Sequence, residues 1–171
     1  MEPIPEEPIV LIIMGSDSDL AVMAEAAETL KSMNISFKIT VASAHRTPQR
    51  VQGLIEEAEN SGIDVIIAGA GSAAHLAGVI AAHTTLPVIG VPLDSSPLLG
   101  LDALMSTVQM PSGIPVATMA IGKAGAKNAA IFAAQILATK YPTVREQIKA
   151  FKSKMAEGVM EKAQNVESLY Q

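Results

Sequence analysis

The chain has 171 residues, of which 49% are hydrophobic, and this size and composition predict a single domain with a substantial core. A formal charge of −5, no block of basic residues and an aromatic content of only 3% argue against a nucleic-acid-binding surface. The absence of cysteine from the sequence excludes disulfides, thiolate metal ligands and cysteine nucleophiles.

The first eight residues are acidic and rich in proline, and they lack the basic segment that begins a signal peptide. We interpret residues 1–8 as a flexible N-terminal tail that precedes one α/β domain at residues 9–142. No apolar run in the sequence reaches the length of a membrane span. We therefore expect a cytoplasmic protein with no membrane partner.

Five apolar or alternating runs predict the strands of a parallel sheet, and helical patterns follow them. The predicted strands are Ile9–Met14, Ile35–Val41, Ile63–Ala68, Leu86–Val91 and Ile114–Ala120. The predicted helices include Leu20–Met33, Pro48–Asn60, a third ending near Thr84, Leu101–Gln109 and Ala124–Thr139. This alternation predicts a three-layer α/β/α sandwich, for which we expect the flavodoxin-like strand order 2-1-3-4-5.

A long last helix is predicted within the segment 143–171, beyond the last strand. Its apolar residues form one stripe, which consists of Val144, Ile148, Phe151, Met155, Val159 and Val166. Such a stripe needs a partner that covers it. That partner is either a neighbouring subunit or the helix's own domain, and the sequence leaves both open.

Small polar loops follow the first three predicted strands, at Gly15–Asp19, Ser43–Thr47 and Gly69–His75. Because the carboxyl ends of parallel strands meet at one edge of a sheet, where α/β proteins bind their ligands, these loops predict one composite site. The glycine spacing differs from that of a dinucleotide-binding loop. The three histidines form no His-x-x-x-His pair, so we expect no metal site.

The second loop places a hydroxyl, an imidazole and a guanidinium directly before a helix with Thr47 at its N-cap and Pro48 at its first position. Helix starts favour anions, so Ser43 and Arg46 are candidates for holding a phosphate, with His45 beside it for proton transfer. The loop alone fits equally well a capped helix with an incidental surface histidine and arginine.

The other two loops carry candidates for the rest of a ligand. Ser16 can donate to a phosphate, and Asp19 can accept from a sugar hydroxyl, although helix capping also explains these residues. Gly71 and Ser72 would let a flat ligand lie against the backbone, and tight packing between strand and helix explains them too. His75 either faces the ligand or starts its helix.

Five motifs are more specific together than any one of them alone. They are GSDSD at 15–19, SAHRTP at 43–48, AGAGSAAHL at 68–76, QMPSGIPV at 109–116 and AIGKAG at 120–125. They resemble the PurE family of purine biosynthesis over roughly Val10 to Ala138, and they are closest to its bacterial type, N5-carboxyaminoimidazole ribonucleotide mutase. Animal-type relatives, which carboxylate with free CO2, usually have lysine where this chain has Arg46. Ser72 and Ala77 stand where the family often has glycine and proline.

The resemblance implies an isomerase that converts N5-carboxyaminoimidazole ribonucleotide to 4-carboxy-5-aminoimidazole ribonucleotide. It also implies a homo-octamer that binds this small-molecule substrate between subunits, without a metal or another cofactor. His45 would be the general acid and base. The implied binding residues are Ser16, Ser43 and Arg46 at the phosphate, Asp19 at the ribose, and Gly71, Ser72 and His75 at the base and carboxylate.

The implied reaction moves a carboxylate from an exocyclic amine to a ring carbon. Protonation of the carbamate nitrogen lets CO2 leave, and the electron-rich ring carbon then attacks the trapped CO2. Because imidazole titrates near pH ~6.5, His45 can give the first proton and then remove the one on the ring carbon.

Two other functions remain open from the sequence. One is carboxylation of aminoimidazole ribonucleotide with free CO2 on the same fold. The other is a non-catalytic flavodoxin-like module that binds a flavin or a nucleotide. That module predicts aromatic residues that stack on the ring, and the three loops contain no Phe, Tyr or Trp.

Overall fold

The computed structural model describes residues 4–170. Its strands are β1 (Val10–Met14), β2 (Phe37–Val41), β3 (Val65–Gly71), β4 (Val88–Leu93) and β5 (Ala117–Thr118). Its helices are α1 (Leu20–Ser32), α2 (Pro48–Asn60), α3 (Leu76–His83), α4 (Leu101–Val108), α5 (Gly122–Leu137) and α6 (Pro142–Glu167). All strand pairs are parallel, in the order β2-β1-β3-β4-β5, which confirms the predicted flavodoxin-like sandwich.

The continuous apolar run of β1 forms the centre of the core because its side chains alternate between the two faces of the sheet. Val10, Ile12 and Met14 pack with α1, α5 and the start of α6, and Leu11 and Ile13 pack with α2 and α3. β1 is buried at every residue because helices cover both faces of the sheet there. This burial explains why the strand has no polar position.

The fifth strand is much shorter than the predicted run from Ile114 to Ala120, so that prediction was wrong in its length. Only Ala117 and Thr118 pair with β4. Pro115 has no N–H group to give to a neighbouring strand, and the chain before it turns, with a hydrogen bond from Ile114 N to Pro111 O of 3.2 Å. The strand therefore starts only after the proline.

The last helix packs on its own domain at one end only. Val144 and Ile148 are buried against α5, whereas Met155, Val159 and Val166 are 49%, 65% and 58% exposed. The first part of the predicted apolar stripe is thus covered within the chain, and the second part is open in the single subunit. Among residues 4–170, no helix is both long enough and apolar enough to cross a membrane.

The predicted tail falls partly on residues 1–3, which lie outside the described residues. Ile4 packs against the core on the α1 side of the sheet, and residues 4–9 form no helix or strand.

Strand order decides which loops meet. Because β1 lies between β2 and β3, the loops after these three strands are neighbours at the carboxyl edge, and the loop after β4 lies next to them.

Candidate active site

A cavity of about 340 Å³ lies at the carboxyl edge of the sheet. Its wall includes every candidate residue that the sequence provides, namely Ser16, Asp19, Ser43, His45, Arg46, Gly71, Ser72 and His75. The structure therefore brings together three loops that are separated by about 30 residues each in the chain.

The loop between β2 and α2 is a tight turn held by its own polar groups. Thr47 N donates to Ser43 O at 2.9 Å, and Thr47 Oγ1 donates to the same carbonyl at 3.1 Å. Thr47 is the N-cap residue of α2, but its hydroxyl bonds to Ser43 O instead of capping the helix. Ser43 Oγ accepts from Arg46 N at 3.2 Å, so its own proton remains available for a ligand.

Arg46 connects this turn to the loop after β1. Its Nη2 atom donates to Gly15 O at 3.2 Å. This bond uses one of the five guanidinium donors, so most of the fork can still bind an anion. The side chain is exposed in the single chain and lies on the cavity wall.

His45 and His75 meet across the cavity although they are 30 residues apart in the chain. His45 Nε2 lies 2.9 Å from His75 Nδ1, with the two rings nearly perpendicular at 88°. One of the two nitrogens must carry the proton of this hydrogen bond while the other accepts it. His75 occupies the N-cap position of α3 but its side chain does not cap the helix, so it faces the cavity.

The third histidine lies elsewhere. His83 Nδ1 is 2.8 Å from Val79 O at the end of α3, so this imidazole contacts the backbone of its own helix.

The loop after β1 forms a capping box. Ser16 N donates to Asp19 Oδ2 at 3.0 Å, and Ser16 Oγ accepts from Ser18 N at 3.4 Å. Ser16 Oγ donates to Asp17 Oδ1 at 3.1 Å, so its hydroxyl would have to rotate before it could donate to a phosphate. The structure therefore shows the capping that the sequence offers for these residues, and it also places them on the cavity wall.

Asp19 is buried under the cavity, with 6% of its surface exposed. Burial raises the pKa of its carboxyl above the ordinary value, although the hydrogen bond from Ser16 and the charge of Arg46 act in the opposite direction. The folded chain therefore holds the Asp19 proton more tightly than the unfolded chain does. This contribution to stability is fully present below the ordinary pKa of 3.8 and is lost as the pH rises through the folded value.

We expect Asp19→Asn to remove this pH dependence, because asparagine keeps an oxygen that can accept from Ser16 N but does not titrate. As the pH rises from the ordinary pKa of 3.8 through the raised pKa of the folded state, the free energy of unfolding of the wild type should fall relative to that of the variant. Urea unfolding of both proteins across this range measures the difference. A difference that stays constant or rises with pH would contradict the raised pKa.

The loop after β3 gives the cavity a backbone floor. Ser72 has a φ of +54°, a left-handed conformation that costs a residue with a Cβ atom about 1 kcal/mol. This conformation explains why glycine suits the position. The serine of this chain is the departure from the PurE pattern that the sequence shows. A Cβ added at Gly71 would overlap the hydroxyl of Ser95, so a side chain there would force Ser95 into another rotamer.

Ser95 is the polar cavity residue that sequence reasoning missed. It lies on the loop between β4 and α4, two residues after Leu93, which pairs with Gly71 at the end of the sheet. The usable signal was its position, since the loop after β4 reaches the same edge as the other three.

Comparison with known proteins places the chain in a family. The family model described as AIR carboxylase matches residues 9–158. The N5-carboxyaminoimidazole ribonucleotide mutase of Thermotoga maritima is 56% identical over 162 residues, which cover 95% of this chain and 94% of the relative. The mutase of Escherichia coli K12 is 52% identical over 152 residues, or 89% of this chain and 90% of that one.

The fold comparison agrees with the sequence comparison. A crystal structure of Treponema denticola PurE superposes with a TM-score of 0.84 at 29% identity and covers 93% of this chain and 98% of its own. The family match spans both core faces and all the cavity loops described above, and the chain belongs to the AIR carboxylase family.

Proposed function

We propose that this enzyme is a mutase that converts N5-carboxyaminoimidazole ribonucleotide to 4-carboxy-5-aminoimidazole ribonucleotide in purine biosynthesis. The observation that carries the proposal is the imidazole of His45, which lies 2.9 Å from His75 in a cavity also lined by Arg46 and Ser43. A single imidazole that can both donate and accept a proton, beside a turn with free donors for an anion, is what this reaction requires.

The phosphate of the substrate would bind at the β1 and β2 loops. The Arg46 guanidinium has free donors, the Ser43 hydroxyl has a free proton, and the start of α2 adds its positive dipole end. Ser16 joins them once its hydroxyl turns away from Asp17. Asp19, which repels phosphate, would accept from the ribose.

The base would then lie beside the histidine pair and against the backbone at Gly71 and Ser72. His45 first donates a proton to the carbamate nitrogen, the nitrogen–carbon bond breaks, and neutral CO2 and the free amine result. The ring carbon next attacks CO2 and forms the new carbon–carbon bond. His45 finally removes the proton from that ring carbon, so one proton enters, one leaves, and aromaticity returns.

These steps need no metal or organic cofactor, because they move only CO2 and one proton in each direction. The remaining task of the protein is to keep CO2 next to the ring until the new bond forms. Holding both in one cavity makes the second step intramolecular, which is catalysis by proximity.

The decisive experiment supplies N5-carboxyaminoimidazole ribonucleotide as sole substrate, without ATP or bicarbonate, and measures the carboxylated product. The mutase should form product at full rate. A second assay adds labelled CO2 during turnover and tests the alternative, a carboxylase that uses free CO2. Efficient entry of label into the product would replace the mutase assignment, and exclusion of label supports it.

We further propose that the chain forms a homo-octamer in the cytoplasm, with the segment 143–171 as a subunit contact. Two features support assembly. The apolar stripe of α6 is open beyond Phe151, and the side chains of His45, Arg46 and His75 are exposed in the single chain. A neighbouring subunit would cover both. Sedimentation equilibrium tests the proposal, since a mass other than that of eight chains contradicts it.

A further inference from the structure

We propose that the hydroxyl of Ser95 binds the carboxyl group of the substrate at the base end of the cavity. This inference rests on the proposed function and adds to it a residue on the loop after β4, a loop to which the sequence assigned no role.

The position of Ser95 along the sheet edge is the first argument. The cavity crosses β2, β1, β3 and β4 in that order, and neighbouring strands are ~4.8 Å apart, so its two ends are separated by about 14 Å. Ser43 and Arg46 lie at the β2 end, and Ser95 lies at the β4 end. A ribonucleotide with its phosphate at Arg46 would therefore extend its base toward Ser95.

The histidine pair fixes where the reacting atoms lie between these ends. His45 belongs to the β2 loop but reaches over β1 to contact His75 on the β3 loop. The nitrogen and carbon that exchange the carboxyl group must lie within reach of His45. The carboxyl group attached to them then projects toward β3 and β4, where Gly71 and Ser95 form the wall.

The surroundings of Ser95 leave its hydroxyl free for a ligand. Within residues 4–170 this hydroxyl makes no hydrogen bond, whereas the next residue, Ser96, donates to Asp102 at 2.7 Å. Gly71 faces Ser95 and lacks the Cβ that would overlap it, so the serine can stand directly over the end of β3. Ser95 is exposed in the single chain, so its donor proton is available to a ligand that enters the cavity.

A carboxylate is the acceptor that fits the chemistry best. It is the anionic group at the base end of the substrate, and a bond to an ionised acceptor is stronger than a neutral one. A neutral hydroxyl also suits the following step, because its hydrogen bond weakens when the anionic carboxylate becomes neutral CO2. A lysine or arginine there would stabilise the carboxylated ground state by charge and oppose release of CO2.

The test compares two ligands that differ only in the carboxyl group. Calorimetry measures the binding of 4-carboxy-5-aminoimidazole ribonucleotide and of aminoimidazole ribonucleotide, in a His45→Gln background so that turnover does not consume the first. We expect Ser95→Ala to weaken binding of the carboxylated ligand about tenfold and to leave the other unchanged. Ser32→Ala is the matched control, since the Ser32 hydroxyl bonds to Thr29 O at the far end of α1.

The outcomes separate this inference from the proposed function. Unchanged binding of both ligands, or an equal loss for both, would overturn the role of Ser95 while leaving a wild-type protein with mutase activity. A wild-type protein without mutase activity would instead overturn the proposed function itself. Thermal unfolding of Ser95→Ala should match the wild type, because the hydroxyl has no partner to lose within the described chain.

Discussion

His45→Gln is expected to lower kcat by about 10²- to 10⁴-fold, the usual contribution of a positioned general acid and base. Glutamine keeps a polar side chain of similar reach but cannot take up and release a proton near neutral pH. Both proton transfers of the proposed reaction depend on this one imidazole, so neither the loss of CO2 nor the final deprotonation can use another route at a comparable rate.

Steady-state kinetics of the variant and ligand binding together test this expectation. Binding of aminoimidazole ribonucleotide should change little, because we propose that Arg46 and Ser43, and not His45, contact the phosphate. His83→Gln is the matched control, since its imidazole lies 2.8 Å from Val79 O on its own helix and is outside the cavity wall. Near-normal turnover by His45→Gln would remove His45 from its role.

The pair with His75 affects how such kinetics are interpreted. In the described chain the Nε2 atom of His45 faces His75, and the substrate must replace or share that partner. Catalytic hydrogen bonds often form their working geometry only when substrate is bound. The contact in the free chain therefore shows that the two rings lie within hydrogen-bonding distance, and a complex with substrate would identify the atom that delivers the proton.

Local pattern was enough to predict the sheet and most of the site. The apolar run of β1 and the alternation of β2 gave strands, and a polar loop after a parallel strand always lies at the binding edge. That rule alone grouped Ser16, His45 and Gly71 before any contact was known. The apolar pattern did not predict the length of β5, because Pro115 has no N–H group to donate and pairing starts only at Ala117.

Contacts between loops could not be predicted from spacing. The His45–His75 bond depends on how far one side chain reaches over β1, and the Ser95 position depends on the register of Gly71 with Leu93. Neither leaves a periodic trace in the sequence. The stripe of α6 was predicted as one feature, but the point where the helix leaves its own domain, after Phe151, depends on how it packs on α5.

Arg46→Ala should raise KM by about ten- to hundredfold and leave kcat nearly unchanged. A charge-assisted bond to phosphate contributes ~1.5–3 kcal/mol, and the phosphate is remote from the bonds that break and form. Loss of the guanidinium also removes its bond to Gly15 O, a neutral acceptor that should bind it less strongly than the doubly charged phosphate does. Arg46→Lys keeps the charge without the planar fork, so it should recover only part of the lost affinity.

A substrate analogue without phosphate separates binding from structure. If Arg46 holds the phosphate, Arg46→Ala should weaken binding of the ribonucleotide and leave the affinity for aminoimidazole ribonucleoside unchanged. Only the ribonucleotide has the phosphate that Arg46 contacts. This double cycle isolates the arginine–phosphate pair from any shift in the turn at Ser43. Equal losses for the two ligands would assign Arg46 to holding the β1 and β2 loops together through Gly15, and the phosphate would then have to bind elsewhere in the cavity.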